Sequence, residues 1–568
     1  MWGPRRVSPE LTEFSLWAPD AGSLCLESAD GSRTLMAPGE NGWWTCTAPI
    51  GPGGQYRFRL EDDSAVPDPA SHAQAGGVHG WSVVQDPRSY SWQTADWRGR
   101  PWEETVIQEV HAGALGGFRG VMDRLPEIAE IGITAIELMP IGAFGGTRNW
   151  GYDGVLPFAP AESYGTSDEL KALVDRAHGL GLMVFLDVVY NHFGPDGNYL
   201  GAYAGRFFHP EIHTPWGGAV AVDLPPVAAF FRENALMWLE EFRFDGLRFD
   251  AVHAINDNPF LDRLARDVRA ALPDRHIHLM LENEANDADR LVPGGYDAQW
   301  NDDFHNVMHV LLTGETQAYY ADFAEQPAQL LARCLGEGFI YQGQGSPNHG
   351  GTPRGTPSGH LPPSAFIAFL QNHDQIGNRA FGERLTLLAD PAKLRAATAL
   401  LLLCPQIPLL FMGDESGSET PFLFFTNFHD ELADAVREGR RREFAQFPAF
   451  ADPDARARIP DPNAPATFAR SQPEPGPQAM EWRGLYRELL TLRHKHIVPR
   501  LAGARSLGAE ALGEAAVFAL WQLGDDAVLA IGLNLGDEPI MFPPSSGATL
   551  FASGERGAAA SVFVELAA

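Results

Sequence analysis

The sequence is poor in cysteine and in metal-binding patterns. Only four cysteines occur in 568 residues, and none has the short spacing of a zinc site or a redox-active pair. The Asp-rich segment at 451–465 lacks the pattern of a calcium loop. We therefore predict no metal ion and no other cofactor.

Long apolar runs are also missing. The most apolar one, residues 399–412, is too short to span a bilayer and is interrupted by Pro405 and Pro408. The N-terminal segment has charge but no apolar core of the length that a secretory signal requires. These features predict no association with a membrane and a cytoplasmic location.

Positive charge is scarce. The 42 Lys and Arg are outnumbered by 73 Asp and Glu, which gives a formal net charge of -31. Such a field repels phosphate backbones and anionic membranes, so nucleic acid is excluded as a partner. A neutral substrate is compatible with it, and 34 Phe, 14 Trp and 12 Tyr supply flat apolar faces that suit sugar rings.

The hydrophobic pattern changes twice along the chain. Residues 12–60 alternate between apolar and polar with many turn residues, which is typical of a small antiparallel sandwich. From about residue 104, short apolar strands alternate with amphipathic segments, such as a helix that we expect to begin after Ser167 as its N-cap. After about residue 490 the antiparallel pattern returns.

The middle region contains eight candidate strands, at 105–112, 134–140, 182–190, 246–252, 277–283, 298–302, 366–374 and 407–415. Eight such units predict a closed barrel rather than an open sheet. The predicted fold class is α/β, a (β/α)8 TIM barrel with an N-terminal and a C-terminal β-sandwich domain. The predicted domains are 1–92, 93–488 with an irregular loop insert at about 191–224, and 489–568.

Polar residues end several of these strands, where a barrel of this type forms its active site. Cleaving a glycosidic bond with retention needs one carboxylate as nucleophile and a second as general acid. Asp250 and Glu282 suit these two roles. Arg248 lies two residues before Asp250 on the same face of its strand, so it is expected to keep that carboxylate ionised.

Other strand-end residues are expected to contact the sugar. His192 and His373 adjoin strand ends, where an imidazole donates to sugar hydroxyls, and Asp374 is expected to accept from hydroxyls of the sugar at the cut. The remaining candidates for substrate binding are Trp150, Tyr152, Asp153, Trp216, His253 and Asp303. Trp150 and Tyr152 are equally well interpreted as core residues, and His253 and Asp303 as braces of a loop.

Four segments resemble the four sequence regions of the alpha-amylase family of glycoside hydrolases: DVVYNH (187–192), GLRFDAVH (246–253), LEN (281–283) and QNHD (371–374). The resemblance implies an α/β barrel and assigns three catalytic roles. Asp250 becomes the nucleophile, Glu282 the acid/base and Asp374 the residue that stabilises the transition state.

Further segments narrow the resemblance to the trehalose-releasing members of that family. They include NWGYDGV (149–155), WNDDFHN (300–306) and TPFLFF (420–425), and the resemblance extends over about residues 12–568. It implies a substrate, malto-oligosyltrehalose and related alpha-glucans, and cleavage of the alpha-1,4 bond next to the terminal trehalose. The sequence makes no prediction about oligomeric state.

Three alternatives stay open. Glu284 lies two residues after Glu282 and faces the same way if the strand continues, although Asn286 matches the family's Asn when Glu282 is the acid. A branching or debranching enzyme shares the same nucleophile. A glucan-binding protein without activity is the third hypothesis, against which the three carboxylates argue.

Overall fold

The structure, a computed structural model, describes residues 1–214, 217–255, 257–445 and 447–567. The N-terminal strands are β1 (Arg5–Arg6), β2 (Thr12–Trp17), β3 (Cys25–Ser28), β4 (Arg33–Leu35), β5 (Ala37–Pro38), β6 (Trp43–Ala48), β7 (Gln55–Arg59), β8 (Ala65–Val66), β9 (Gln74–Ala75) and β10 (Trp81–Val83). They form two antiparallel sheets, with orders β1-β2-β6-β5 and β4-β3-β7-β10-β9, and β8 pairs with β7. Phe14 of the first sheet contacts Tyr56 of the second, with ring centroids 4.6 Å apart, so alternate apolar residues meet between the sheets.

The central strands are β11 (Ile107–Val110), β12 (Ala135–Leu138), β13 (Gly142–Phe144), β14 (Gly154–Pro160), β15 (Met183–Val188), β16 (Phe208–Thr214), β17 (Gly217–Val220), β18 (Gly246–Phe249), β19 (His278–Leu281), β20 (Ala298–Trp300), β21 (Gln344–Gly345), β22 (Pro353–Arg354), β23 (Phe366–Ala368) and β24 (Ile407–Phe411). A closed parallel barrel is formed in the order β11-β12-β15-β18-β19-β20-β23-β24, and β24 pairs back to β11. Each barrel strand lies within one of the eight predicted strands. The strands could be recognised as apolar runs because they are buried on both faces.

The helices are α1 (Gly117–Ile131), α2 (Ser167–Gly179), α3 (Pro225–Glu240), α4 (Asn258–Ala271), α5 (Asp302–Thr313), α6 (Pro327–Glu337), α7 (His373–Gly377), α8 (Leu385–Leu388), α9 (Pro391–Leu403), α10 (Asp430–Phe444), α11 (Pro453–Ala457), α12 (Pro465–Ala469) and α13 (Ala479–Leu492). In α2 the N-cap is Thr166 and not Ser167, because Thr166 and Glu169 form a reciprocal capping box. Among the described residues, no helix combines the length and apolarity needed to cross a membrane.

The interior of the barrel is filled by side chains. One apolar cluster closes the barrel below the strand ends. Its largest members are at most 1% exposed and are Phe185, Met280, Trp300 and Phe369. The polar residues at the carboxyl ends of the strands therefore lie above a packed apolar floor.

The C-terminal strands are β25 (Arg505–Ala511), β26 (Ala516–Gln522), β27 (Val528–Asn534), β28 (Ala548–Ala552) and β29 (Ser561–Ala567). They form an antiparallel sheet in the order β25-β26-β27-β29-β28, which packs against α6 and α9. The predicted fold class, a TIM barrel with antiparallel β-structure at both ends, is confirmed. The predicted domain limits stay predictions, and the second of them, after residue 488, falls within α13.

The segment 191–224 differs from the irregular insert that the sequence predicts. Strands β16 and β17 pair as an antiparallel hairpin within it. Most residues of β16 are exposed, so the strand lacks the alternation of apolar residues by which a half-buried strand is recognised.

Candidate active site

Arg248 is the centre of the polar cluster at the strand ends. Its Nη1 donates to Asp187 Oδ2 at 2.6 Å and to Asp250 Oδ1 at 2.9 Å. Its Nη2 lies 2.9 Å from Glu282 Oε2. The guanidinium stacks on Trp300, with Cζ 4.1 Å from the ring centroid, and its side chain is only 2% exposed. One rigid, buried cation thus fixes carboxylates from three neighbouring strands.

The carboxyls of Asp250 and Glu282 are close enough for each to affect the pKa of the other. The pKa of Asp250 is raised well above its ordinary value, mainly by burial and next by the negative charge of the Glu282 carboxylate. Burial also acts to raise the pKa of Glu282, but the Arg248 guanidinium and the Ala251 amide, which donates to Glu282 Oε2 at 2.8 Å, outweigh burial and lower it. The two carboxyls therefore form a coupled pair, in which burial favours the protonated form of Asp250 and Arg248 favours the ionised form of Glu282.

His373 and Asp374 begin α7, directly after β23. The Asn372 side chain caps this helix, accepting from the Asp374 amide at 2.9 Å. Asn378 Nδ2 donates to Asp374 Oδ1 at 2.7 Å, and burial raises the pKa of Asp374. The capped turn presents both side chains toward the Arg248 cluster.

His373 is held by a glutamate that sequence reasoning missed. Its Nδ1 lies 2.5 Å from Oε1 of Glu109, and its backbone N–H donates to Oε2 at 3.0 Å. Burial alone lowers the pKa of His373, but the carboxylates of Glu109 and Asp374 outweigh burial and raise it above the ordinary value. The only sequence signal for Glu109 is a charged residue inside an otherwise apolar strand.

Residues 149–153 pack beside His373. The Tyr152 ring stacks on the imidazole, with centroids 5.1 Å apart and planes 23° apart, and its hydroxyl donates to Asp187 Oδ2 at 2.7 Å. Trp150 is buried: its Nε1 donates to the Leu423 carbonyl at 2.9 Å and its ring meets the imidazole at 90°. Tyr152 therefore joins the carboxylate cluster directly, whereas Trp150 supports His373 from behind.

His192 and Asp153 also lie on this side of the barrel. His192 Nε2 is 2.9 Å from the Tyr152 carbonyl oxygen, and burial lowers the pKa of His192 to about 4. Asp153 accepts from Asn149 Nδ2 at 2.6 Å, and burial raises its pKa. His192 Nδ1 also lies 2.9 Å from Asn191 Oδ1, so both ring nitrogens contact protein oxygens and the imidazole braces the Tyr152 backbone.

Glu284 and His253 lie in the loops after β19 and β18, and Asp303 is the second residue of α5. The Glu284 side chain is 54% exposed, and its carboxylate lies 3.7 Å from His253 Nε2. Asp303 is fully buried, where it accepts from Asn286 Nδ2 at 2.9 Å and from the Ile340 amide at 2.8 Å. The structure thus places His253 and Glu284 at the rim and Asp303 inside the loop packing. Trp216 lies outside the described residues.

Asp302 is a second residue that sequence reasoning did not single out as a candidate. The pKa of Asp302 is raised well above its ordinary value, mainly by burial and next by the negative charges of Glu282 and Asp374. The group therefore lies close to two of the three predicted catalytic carboxylates. No pattern distinguishes it from Asp303 beside it in the sequence.

The part of the chain that the structure describes has no group of three or more His, Cys, Asp or Glu side chains placed to hold a metal ion. The polar cluster consists of three carboxyls on the Arg248 guanidinium, those of Asp187, Asp250 and Glu282, with Asp374 and His373 beside them. Such a set is suited to proton transfer and nucleophilic attack at an anomeric carbon.

Comparisons with known proteins agree with this geometry. A family model described as "Alpha amylase, catalytic domain" matches residues 85–203, and one described as "Domain of unknown function (DUF3459)" matches residues 504–567. A crystal structure of a protein from Salmonella typhimurium, described as an alpha amylase, superposes with a TM-score of 0.95 at 44% identity, covering 100% of this chain and 99% of that one.

Two sequence relatives carry a more specific name. The malto-oligosyltrehalose trehalohydrolase of Deinococcus radiodurans is 41% identical over 499 residues, which cover 85% of this chain and 81% of the relative. The enzyme of that name from Rhizobium sp. (strain M-11) is 39% identical over 593 residues, which cover 97% and 96%. The resemblance predicted from the sequence is confirmed: the chain is a glycosidase of the alpha-amylase type and belongs to the malto-oligosyltrehalose trehalohydrolase family.

Proposed function

We propose that the protein is a retaining glycoside hydrolase that cleaves the alpha-1,4 bond next to the terminal trehalose of malto-oligosyltrehalose, releasing trehalose and a shortened maltodextrin. The observation that carries the chemical part is the bridge by Arg248 between Asp250 and Glu282. A single guanidinium that touches both carboxyls favours the close spacing of about 5 to 5.5 Å that retaining enzymes use.

The first step forms a covalent intermediate. Ionised Asp250 attacks the anomeric carbon while the bond from that carbon to the trehalose oxygen breaks. Glu282 gives its proton to the departing oxygen, so that trehalose leaves as a neutral alcohol. Asp374 then binds hydroxyls of this ring and faces the positive charge of the transition state, while Arg248 stays paired with Asp250.

The second step returns the enzyme to its first state. Glu282, now a carboxylate, takes a proton from water, and the water oxygen attacks the anomeric carbon and displaces Asp250. The maltodextrin leaves with the same anomeric configuration that the substrate had.

The reaction needs a proton on Glu282 while Asp250 is ionised. The glycosidic oxygen of a bound substrate favours this arrangement, because it accepts a hydrogen bond from a protonated Glu282. Arg248 keeps its contact with Asp250 and stabilises the ionised form once the ring is bound. Binding and protonation of Glu282 are therefore coupled in this proposal.

We place the sugar at the cut beside His373 and Tyr152, whose rings stack on each other next to Asp187. His192, which contacts the Tyr152 carbonyl, stays a candidate for substrate binding on the same side. The trehalose unit is assigned to the other side of Glu282, where His253 lies at the rim. Trp216, which lies outside the described residues, stays a candidate for substrate binding. Trp150, Asp153 and Asp303 act in this proposal as supports of the loops that carry those contacts. A cytoplasmic location also stays a prediction.

The specificity is tested by kcat/KM for maltotriosyl trehalose and for maltopentaose, with products identified by chromatography. A trehalose terminus is compact and non-reducing, so a site shaped for it gains preorganised contacts that a flexible reducing end does not provide. We expect a preference of at least about tenfold, or roughly 1.4 kcal/mol. A smaller preference contradicts the trehalose assignment.

The same incubation separates the other hypotheses. New alpha-1,6 branches indicate a branching enzyme, and cleavage confined to alpha-1,6 bonds indicates a debranching enzyme. Binding of glucan without any turnover indicates a binding protein.

A further inference from the structure

We propose that Glu109 is a positioning residue that fixes the His373 ring as a doubly protonated imidazolium whose Nε2–H is offered to a hydroxyl of the sugar at the cut. The inference rests on the proposed function, because it assigns His373 a sugar as its ligand. It gives a role to a buried glutamate of the first barrel strand that no sequence region of the family includes.

The contact geometry leaves His373 one free direction. Glu109 accepts from the ring Nδ1 with one carboxylate oxygen, 2.5 Å away, and from the backbone N–H with the other, 3.0 Å away. The side chains of both residues are at least 96% buried. With Nδ1 occupied, Nε2 is the ring nitrogen that remains for a ligand.

Aromatic rings prevent His373 from tilting. Tyr152 stacks on one face of the imidazole, and the edge of Trp150 approaches at 5.5 Å and 90°. Trp150 is itself held by the Leu423 carbonyl and by stacking on Phe422 at 5.4 Å. The ring therefore has a fixed orientation before any sugar arrives, which is the condition for a directional hydrogen bond.

The protonation state of His373 depends on the charges that surround it. The titratable and charged groups close enough to affect it come from several strands and are Glu109, His111, Asp187, Arg248, Glu282 and Asp374. Arg248 opposes a second proton on the imidazole, whereas Glu109 favours it by charge and by a direct hydrogen bond. Among these charged groups, Glu109 is the one that hydrogen-bonds to the ring, so the experiment removes the charge of Glu109.

The neighbouring strand supplies a matched control. Glu137 of β12 pairs in register with Glu109 and is also fully buried. Neither of its carboxyl oxygens has a hydrogen-bond partner among the described residues, and burial raises its pKa well above the ordinary value. Burial and the charges of Asp187 and Glu109 thus favour the neutral form of Glu137, so we expect its change to an amide to leave the charge around His373 unaltered.

The experiment compares Glu109→Gln and Glu137→Gln with the wild type in the full-length protein. The ring nitrogens of labelled histidine are followed by nitrogen-15 NMR as the pH is varied, and the signal that disappears in His373→Gln assigns His373. Glutamine still accepts from Nδ1 but carries no charge, so we expect Glu109→Gln to lower the His373 titration midpoint by about 1 to 3 pH units. Glu137→Gln should leave it unchanged.

Activity supplies the second readout. The imidazolium exists below its pKa, so lowering that pKa moves the alkaline limb of kcat/KM toward acid. In Glu109→Gln we expect kcat/KM on the glucan substrate to fall at least tenfold at neutral pH and to approach the wild-type value again as the pH is lowered. A loss that is the same at every pH indicates a purely structural role and overturns the proposal.

Three further outcomes test the role of Glu109 and separate it from the proposed function. An unmoved His373 midpoint in Glu109→Gln refutes the charge argument, and an equal shift in Glu137→Gln refutes the special role of Glu109. If the midpoint shifts as expected but the wild type releases no trehalose, the ring positioning stands and the proposed function fails, because the NMR measurement needs no turnover.

Discussion

Changing Glu282 to Gln removes a proton that a poor leaving group needs, while preserving most of the local geometry. An amide oxygen can still accept from the Ala251 amide, which lies 2.8 Å from Glu282 Oε2. What is lost is the general acid, which contributes about 10² to 10⁴ in rate, or about 2.7 to 5.4 kcal/mol. We expect that loss in kcat/KM on the natural glucoside.

A substrate with a good leaving group tests the reason for the loss. A malto-oligosyl fluoride needs no protonation of its leaving group, so Glu282→Gln should lose less than about tenfold in kcat/KM on it. The difference between the two substrates, not the loss on either one, is the signature of an acid catalyst.

Glu284→Gln is the matched comparison, since both glutamates lie in the same loop. The Glu284 side chain is 54% exposed and its carboxylate is 3.7 Å from His253, a pair that contributes under about 1 kcal/mol in solvent. We expect less than about a fivefold change on both substrates. If Glu284→Gln discriminates by leaving group and Glu282→Gln does not, the assignment of the acid is wrong. Equal melting temperatures of the two variants exclude unfolding as the cause.

Two further predictions concern the Arg248 cluster. Asp250→Asn should reduce kcat more than a hundredfold while glucan binding measured by calorimetry persists, and a rate above about a hundredth of wild type excludes Asp250 as the nucleophile. Arg248→Met should lower the free energy of unfolding by about 3 to 5 kcal/mol at pH 7, because it leaves buried carboxylates without their cation. Denaturant titrations should show this loss shrinking as the pH falls to 5, since protonation removes the unpaired charge, and a loss that is independent of pH contradicts the electrostatic argument.

The barrel could be predicted because each of its strands is an apolar run with a polar end. Asp250 and Glu282 stand out for that reason, as they directly follow β18 and β19. The three catalytic assignments nevertheless stay predictions until variants are measured. The helix boundary at α2 was misplaced by one residue because Ser167 and Thr166 are both good N-caps, and only the contact with Glu169 decides between them.

Other features have no local signal. Glu109 and His373 are 264 residues apart in the chain, and no spacing or periodicity connects residues at that separation. The burial of Trp150 likewise depends on Phe422 and Leu423, which follow the last barrel strand. Such contacts are fixed by closure of the barrel, which brings the segments after β23 and β24 beside β11 and the loop after β12, and not by the propensity of either segment.

The packed floor of the barrel has a consequence for the fate of the covalent intermediate. Phe185, Met280, Trp300 and Phe369 close the barrel from below, and Arg248 covers Trp300. Water can therefore reach the anomeric carbon only from the strand-end side of the barrel, the side from which trehalose departs. Water and the hydroxyls of a second glucan chain approach from that same side, so we expect the partition of the intermediate between hydrolysis and chain transfer to depend on how the two compete there.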